Sequence, residues 1–428
     1  GCGDERSDTR GASGEPTASA TPSPLQVALD GIRDDGTWST ETALAVFAAA
    51  FGPMPGVDEP QPDTSWHSGT LALRMVEAVW DDLTDAQHQA IYDYAGPAAS
   101  SFLPGDGAPQ TRESQRSDAL VLSIADDIPT GVARARPASA DTYQQMLDQA
   151  AADITSHLGR SLGIPIRVVL TDKEDSGGAW AWASGNWTEV SDGSPASACI
   201  VTIPPSTNNS NRAPYLRWLF LHEVWHCFQY TFAGNATLLS NPAWVTEGGA
   251  SWVAEAITGG SGAPPPEAEH WGTYINNPGK PLYSRAYDAV GFYTQLAHNN
   301  IDPWKVLDTM VTAGGSDAAF QASGGSANTF AGRWGSSWFR DSKPNDDWGM
   351  SDGYGILPPS IQPAPQSIEL TDGADGTIWA VPNSGSIANV HTTAFVTRID
   401  VSGVGRIADE GGALDELIFG SPKNCCSN

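Results

Sequence analysis

The chain has 428 residues, a formal net charge of −28 at pH 7, 40% hydrophobic residues and 16 tryptophans. This length and composition allow two or three globular domains with a sizeable core. The charge excludes nucleic acid and anionic membrane surfaces as partners, because both would repel the chain. The longest apolar run, Ala43 to Phe51, is too short to span a bilayer.

Residues 1–24 are rich in Gly, Ser, Thr, Pro and charged residues, which predicts a disordered tether. Cys2, preceded by Gly and followed by this tether, resembles the first cysteine of a mature bacterial lipoprotein. The resemblance implies that Cys2 carries a lipid. The protein would then be extracytoplasmic, held at the outer face of a bacterial membrane by that anchor alone, or secreted. A free thiol at Cys2 is the alternative.

Residues 25–135 have the pattern of a mostly helical region, with clear helices at Thr40 to Phe51 and Leu71 to Tyr94. They contain no recognisable catalytic motif, so we interpret them as a scaffold or prodomain-like module. Residues 136–353 combine helices with Val/Ile-rich strands and predict an α+β catalytic domain. Its first predicted elements are a helix at Asp141 to Leu158 and strands at Ile164 to Thr171, Ala179 to Ala183 and Ala198 to Ile203.

The strongest motif is His-Glu-Val-Trp-His at residues 222–226. It lies in a run without Gly or Pro, from Tyr215 to Tyr230, that predicts a largely buried helix. His222 and His226 are four residues apart and therefore face one metal from one side of the helix. Glu223 lies beside them, where it can take a proton from a water that attacks a carbonyl. The spacing predicts metal-assisted hydrolysis with Glu223 as the general base.

A third protein ligand is expected in the next predicted helix, for which Asn241 is the expected N-cap. Glu247 lies in that helix, and twenty residues separate it from His226, enough for the chain to turn and return antiparallel. Gly248 and Gly249 are poor helix formers, and we expect them to allow the two helices to approach closely. The sequence therefore predicts a site for one Zn²⁺, with three ligands: His222, His226 and Glu247.

The two segments together resemble the gluzincins, which are zinc metallopeptidases. The resemblance rests on His-Glu-Val-Trp-His and on Trp-Val-Thr-Glu-Gly-Gly-Ala at residues 244–250, and it covers about residues 160 to 340. It implies a zincin-like fold, the same three zinc ligands, Glu223 as the base, and a peptide or protein substrate. A metzincin would need a further histidine, but positions 229 and 232 are Gln and Phe.

The same resemblance implies a side chain that stabilises the oxyanion of the tetrahedral intermediate. Tyr287 is the first candidate and Tyr283 the second, although both also fit an aromatic core stripe; His270 and His298 remain open. It also implies that residues 199–203 form the sheet edge that pairs with an extended peptide. No Gly-x-Met-Glu-Asn motif precedes the zinc motif, which favours an endopeptidase over an aminopeptidase.

The remaining features concern cysteines and the C-terminal tail. If Cys2 is acylated, four cysteines allow three pairings, and a bridge between Cys199 and Cys227 would join the last strand to the zinc helix. Cys425 and Cys426 are adjacent near the C-terminus. Residues 354–366 form a Pro-rich linker, and residues 367–428 predict a small β-rich domain.

These patterns predict a zinc-dependent peptidase. Two alternatives remain open from the sequence. One is a non-catalytic surface binding protein on a metallopeptidase scaffold, against which the intact Glu223 argues. The other is a zinc hydrolase of a non-peptide substrate.

Overall fold

The computed structural model describes residues 23–58, 67–95 and 139–325 with short gaps, and five short strands between residues 367 and 409. The gaps are 172–178, 188–189, 192, 209–214, 259–269, 271–272, 275–279 and 299. The predicted tether with Cys2, the domain boundaries near residues 135 and 354, the linker, and Cys425 and Cys426 lie outside the described residues. The described part is helix-rich with a small mixed sheet, so the α+β class is confirmed.

The N-terminal region is helical, with one predicted helix divided in two. Ser39 caps its longest helix by accepting a hydrogen bond from the amide of Thr42. The predicted helix at Leu71 to Tyr94 breaks at Val79, which has φ −114° and ψ 17°, and a new helix begins after Thr84. The elements are α1 (Pro24–Leu29), α2 (Thr40–Phe51), β1 (His67–Ser68), α3 (Thr70–Ala78), a 3₁₀ turn (Trp80–Asp82) and α4 (Asp85–Ala95).

The sheet of the predicted catalytic domain has three principal strands, β2 (Ile166–Leu170), β3 (Ala179–Asn186) and β4 (Ala198–Ile203). β4 lies in the centre, parallel to β2 and antiparallel to β3. The short β1 of the N-terminal region pairs in parallel with the outer edge of β3, which gives the order β1-β3-β4-β2. The N-terminal region therefore contributes a strand to this sheet.

Helices pack beside this sheet. Ser139 caps the first of them, and Gly159 ends it in the left-handed conformation, with φ 70°. The helices are α5 (Ala140–Leu158), α6 (Leu216–Phe232), α7 (Asn235–Ser240), α8 (Ala243–Thr258), α9 (Val290–His298), α10 (Leu307–Ala313) and α11 (Ser316–Ala322). Further 3₁₀ turns are Pro205–Asn208, Tyr287–Ala289 and Pro303–Lys305.

Five strands lie in the C-terminal tail, in the part predicted to be a small β-rich domain. Two of them pair as an antiparallel ribbon and the other three form an antiparallel sheet. They are β5 (Ser367–Ile368), β6 (Thr377–Ala380), β7 (Ala388–His391), β8 (Val396–Asp400) and β9 (Ile407–Asp409).

Two hydrophobic clusters form the core. The larger one joins α5, the sheet, α6, α8, α9 and the helices that follow. The smaller one is built from α1 to α4, but it also contains residues from β3 and from the segments around α8 and the Tyr287–Ala289 turn. The N-terminal helices thus share a core with β3, with the start of α8 and with the Tyr287–Ala289 turn. Of the helices in the described ranges, none combines the length and apolar character that crossing a bilayer requires.

Candidate metal centre

α6 and α8 bring His222, His226 and Glu247 together at one point. The Nε2 atoms of the two histidines lie 3.2 Å apart. The Oε2 atom of Glu247 lies 3.1 Å from Nε2 of His222 and 3.3 Å from Nε2 of His226. The three predicted ligand atoms therefore form a small triangle, in which each atom is in contact with the other two.

This triangle fits a zinc ion. Tetrahedral zinc ligands at about 2.1 Å from the metal lie about 3.4 Å from one another. The three observed separations are close to that value. The other carboxylate oxygen of Glu247, although buried, makes no hydrogen bond with any residue that the structure describes. Two imidazoles and one carboxylate are also a typical ligand set for catalytic zinc, which leaves a fourth position for water or substrate.

The side chains of the centre are buried, and those of His226 and Glu247 shift each other's pKa values. The side chains of His222, His226 and Glu247 are fully inaccessible to solvent. Burial raises the pKa of Glu247, but the charge of His226 and hydrogen bonds from both histidines outweigh burial and hold this pKa well below its usual value. Burial alone would lower the pKa of His226, and the Glu247 carboxylate raises it instead. The carboxylate is therefore ionised, as a metal ligand must be.

A second layer of contacts orients His226. Its Nδ1 lies 2.9 Å from Oε1 of Gln229, which is one turn further along α6. The Gln229 amide nitrogen donates to the carbonyl of Thr246, the residue before Glu247. Gln229 therefore ties the two ligand-bearing helices together. In the sequence, Gln229 stands where a metzincin would need histidine, and its spacing of three from His226 places both residues on one helix face.

The structure contains a disulfide between Cys199 and Cys227, with 2.06 Å between the sulfur atoms. This is one of the three pairings that the sequence left open. The bridge joins β4 to the residue that follows His226. In addition, the ring of Trp218 stacks on His222 with centroids 5.0 Å apart. The part of α6 that carries the predicted ligands is therefore held by a covalent bond and by aromatic packing.

Glu223 is held by a residue that the sequence analysis missed. The hydroxyl of Thr70, at the start of α3, donates to Oε2 of Glu223 at 2.9 Å and accepts from the amide of Ala183 at 2.8 Å. Oε1 of Glu223 is buried and has no hydrogen-bond partner in the described ranges. Residues 25–135 thus contribute a side chain to the candidate site, although they contain no recognisable catalytic motif. No local signal could have revealed it, because 153 residues separate Thr70 from Glu223.

Of the two tyrosine candidates, only Tyr287 lies beside the centre. Its ring centroid is 5.9 Å from that of His222, and its hydroxyl donates to the carbonyl of Ser68 at 3.0 Å. Tyr283, the second candidate, instead stacks on Trp244, and its hydroxyl donates to Asp317. Its orientation differs because residues 283–286 precede the 3₁₀ turn that begins at Tyr287 and do not continue a helix.

The imidazole of His270 also lies beside the ring of Tyr287. The two ring planes are nearly parallel, with centroids 5.3 Å apart, and His270 also contacts Trp218. Burial, and then the neighbouring His222, lower the pKa of His270 to about 3. Its imidazole is therefore neutral at physiological pH. The side chain of His298, the other histidine that the sequence left open, lies outside the described residues.

Two further expectations need correction. Residues 199–203 are not a sheet edge: β4 lies between β2 and β3, and the outer strands are β1 and β2. The sequence could not reveal this, because β4 inserts between the two strands that precede it. The side chain of Asn241 does not cap α8: its amide nitrogen donates to the carbonyl of Val311 at 2.6 Å, and its side-chain oxygen accepts no hydrogen bond from a described residue. The predicted turn after α6 contains the short helix α7.

Comparisons of the chain with protein-family models, with curated proteins and with solved structures find no match.

Proposed function

We propose that this chain is a zinc-dependent peptidase of the gluzincin type. The observation that carries the proposal is the triangle of Nε2, Nε2 and Oε2 atoms from His222, His226 and Glu247, with sides of 3.1 to 3.3 Å, next to a buried glutamate in the same helix turn. When bound, zinc supplies Lewis-acid polarisation of a water and of a substrate carbonyl.

The chain's own residues supply the remaining steps. Glu223 has one buried carboxylate oxygen without a partner among the described residues. We assign to that oxygen the proton taken from the attacking water and later given to the leaving amine. The ring of Tyr287 lies beside that of His222, and we assign to its hydroxyl the hydrogen bond to the oxyanion. If Cys2 is acylated, the reaction takes place at the outer face of a bacterial membrane.

Metal content and cleavage together test the proposal. We expect about one zinc per chain by elemental mass spectrometry in the wild type and in His157→Ala, which removes an exposed histidine. We expect Glu247→Ala to lose most of the metal. We expect Glu223→Gln to keep the metal but to lose at least about a hundredfold of the wild-type cleavage of an unbiased peptide library. A zinc-free wild type, or cleavage that persists in Glu223→Gln, would refute the proposal.

One observation favours a second candidate, a non-catalytic binding protein on this frame. The side chains of all three ligands and of Glu223 are completely buried in the described arrangement. Bound zinc without any peptide cleavage, in the wild type and in every variant described below, would support that candidate.

A further inference from the structure

Residues 67–70 lie along the outer edge of β3, beside the metal centre. β1 pairs in parallel with β3, with Ser68 opposite Ala181. The amide of Gly69 donates to the carbonyl of Ala181 at 2.9 Å, and the amide of Ala183 donates to the Thr70 hydroxyl at 2.8 Å. An extended peptide that adds to a sheet edge uses these same backbone groups. The edge that a peptide substrate would need is therefore taken by the chain itself.

The same four residues engage both side chains to which we assign proton transfer and oxyanion stabilisation. The Thr70 hydroxyl donates to Glu223, and Tyr287 donates to the carbonyl of Ser68. The carbonyl of Ser68 thus accepts the hydrogen bond that a substrate carbonyl would receive from Tyr287. With residues 67–70 in this position, the side chains of the metal centre have no solvent-accessible surface.

We propose that residues 67–70 are an internal pseudosubstrate: they occupy the cleft in which an extended peptide binds along β3, and they keep the enzyme latent until they leave it. This proposal rests on the proposed peptidase function, and it adds both the substrate-binding edge and the mode of regulation. The N-terminal helices hold the segment in place, because Phe51 of α2 lies against Gly69, where an added Cβ would be 2.6 Å from its Cζ, and packs edge-on against Trp182 of β3.

A competing role for Thr70 is to orient Glu223 during catalysis. That role requires the Thr70 hydroxyl alone. It does not account for the strand pairing of β1 with β3, for the bond from Tyr287 to Ser68, or for the closed centre. The two roles also predict opposite effects of removing the Thr70 hydroxyl. Loss of a positioning hydroxyl lowers turnover, whereas loss of a contact that closes the cleft raises access to the zinc.

The test uses the full zinc-loaded chain and a probe, a short extended peptide that ends in a hydroxamate. Thr70→Val deletes the hydroxyl and both of its hydrogen bonds while keeping the shape of the side chain. We expect the probe to associate with this variant at least about tenfold faster than with the wild type, and peptide turnover to rise in parallel. Thr70→Ser, which keeps the hydroxyl, should behave like the wild type. Thr42→Val, the same change elsewhere in the N-terminal helices, is the control.

A second measurement needs no variant. Hydrogen exchange of the wild type at saturating probe should show loss of protection at the Gly69 amide, while the Ala183 amide stays protected by the probe. Continued protection of Gly69 in the probe complex would overturn the proposal. So would a zinc-loaded Thr70→Val chain with reduced turnover and unchanged probe association, which would assign Thr70 the positioning role. A chain that holds no zinc would refute the peptidase function itself, and this proposal with it.

Discussion

At the scale of single residues, Gln229 orients the imidazole of His226, a predicted zinc ligand. The amide nitrogen of Gln229 is committed to the Thr246 carbonyl, so its oxygen is left to accept from Nδ1 of His226. This arrangement assigns a proton to Nδ1, so Nε2, the atom that faces Glu247 and His222, is the one that would bind a metal. The ring nitrogen available to a metal is therefore set by a residue outside the proposed ligand set.

Replacing Gln229 should weaken zinc binding without removing a ligand. In Gln229→Leu, the Nδ1 proton and the Thr246 carbonyl both lose their partner in a buried site. We expect zinc affinity to fall about 10- to 100-fold, measured by competition with a chromogenic chelator. Gln145→Leu, on the exposed face of α5, should leave the affinity unchanged. An affinity in Gln229→Leu equal to that of the wild type would show that the contact does not support the ligand.

Glu77 on α3 makes the stability of the fold depend on pH. Burial raises its pKa to about 8 from an ordinary value of 4.5, despite a hydrogen bond from Asn235 and the charge of Arg74. Because the pKa is higher in the folded state than in the unfolded chain, the folded protein retains this proton to higher pH. The resulting stabilisation is complete below pH 4.5 and is lost as the pH rises to about 8.

The uncharged variant Glu77→Gln should remove this dependence, because the amide oxygen can still accept from Asn235. At about pH 9 we expect its free energy of unfolding to exceed that of the wild type by roughly 2–4 kcal/mol, with the difference vanishing near about pH 5. Denaturant titrations at several pH values measure both quantities. Glu41→Gln, at an exposed position of α2, should show no such trend. A difference that does not change with pH would contradict the raised pKa.

At the scale of elements, two adjacent glycines of α8 have different surroundings. A Cβ atom on Gly248 would lie 2.6 Å from Cβ of Ala289 and 3.1 Å from the carbonyl oxygen of Ala286. A Cβ on Gly249 would meet Tyr293, Leu307 and Trp225 at 3.4 to 3.5 Å, which is ordinary van der Waals contact. Gly248 therefore allows α8 to approach the Tyr287–Ala289 turn, and it does not serve the contact with α6 that the sequence suggested.

The two alanine variants should have opposite effects. In Gly248→Ala the new methyl group overlaps the backbone and Cβ of a buried turn, so we expect a loss of about 1–3 kcal/mol in the free energy of unfolding. In Gly249→Ala the methyl group fits and the helix propensity improves, so we expect a gain of up to about 1 kcal/mol. Denaturant unfolding of both chains provides the comparison. Equal effects at the two positions would refute the assignment of the close approach to Gly248.

Local elements and their connections differ in how far the sequence predicts them. α2 and β4 have the predicted bounds because a capping serine, apolar periodicity and a following Pro or Gly are all local signals. The ligand triangle also follows from local spacing plus one helix reversal. The order of the strands does not, and neither does the contact of Thr70 with Glu223, because each depends on segments far apart in the chain that only the folded core brings together.

At the scale of the whole molecule, the N-terminal helices and the sheet that follows are connected by their cores. The cluster formed by α1 to α4 includes Trp182 of β3 and Tyr287 beside the metal centre. Phe51 is fully buried at this junction, with its ring edge-on to Trp182. A cavity at this position would therefore loosen packing on both sides. We infer that the described N-terminal region and the residues around the zinc motif unfold together.

Phe51→Ala tests this inference. Truncation of a fully buried phenylalanine should lower the free energy of unfolding by about 3–5 kcal/mol. If the cores are coupled, far-UV circular dichroism, tryptophan fluorescence and zinc release should report one transition, and Phe51→Ala should move all three midpoints by the same amount. Val27→Ala, an exposed position of α1, should move none of them by more than about 0.5 kcal/mol. Zinc release that keeps its wild-type midpoint while circular dichroism shifts would mean that the N-terminal helices unfold independently. In that case the helices could withdraw residues 67–70 from the cleft while the proposed metal site stays folded. A common transition would instead require the segment to leave the cleft by a local opening.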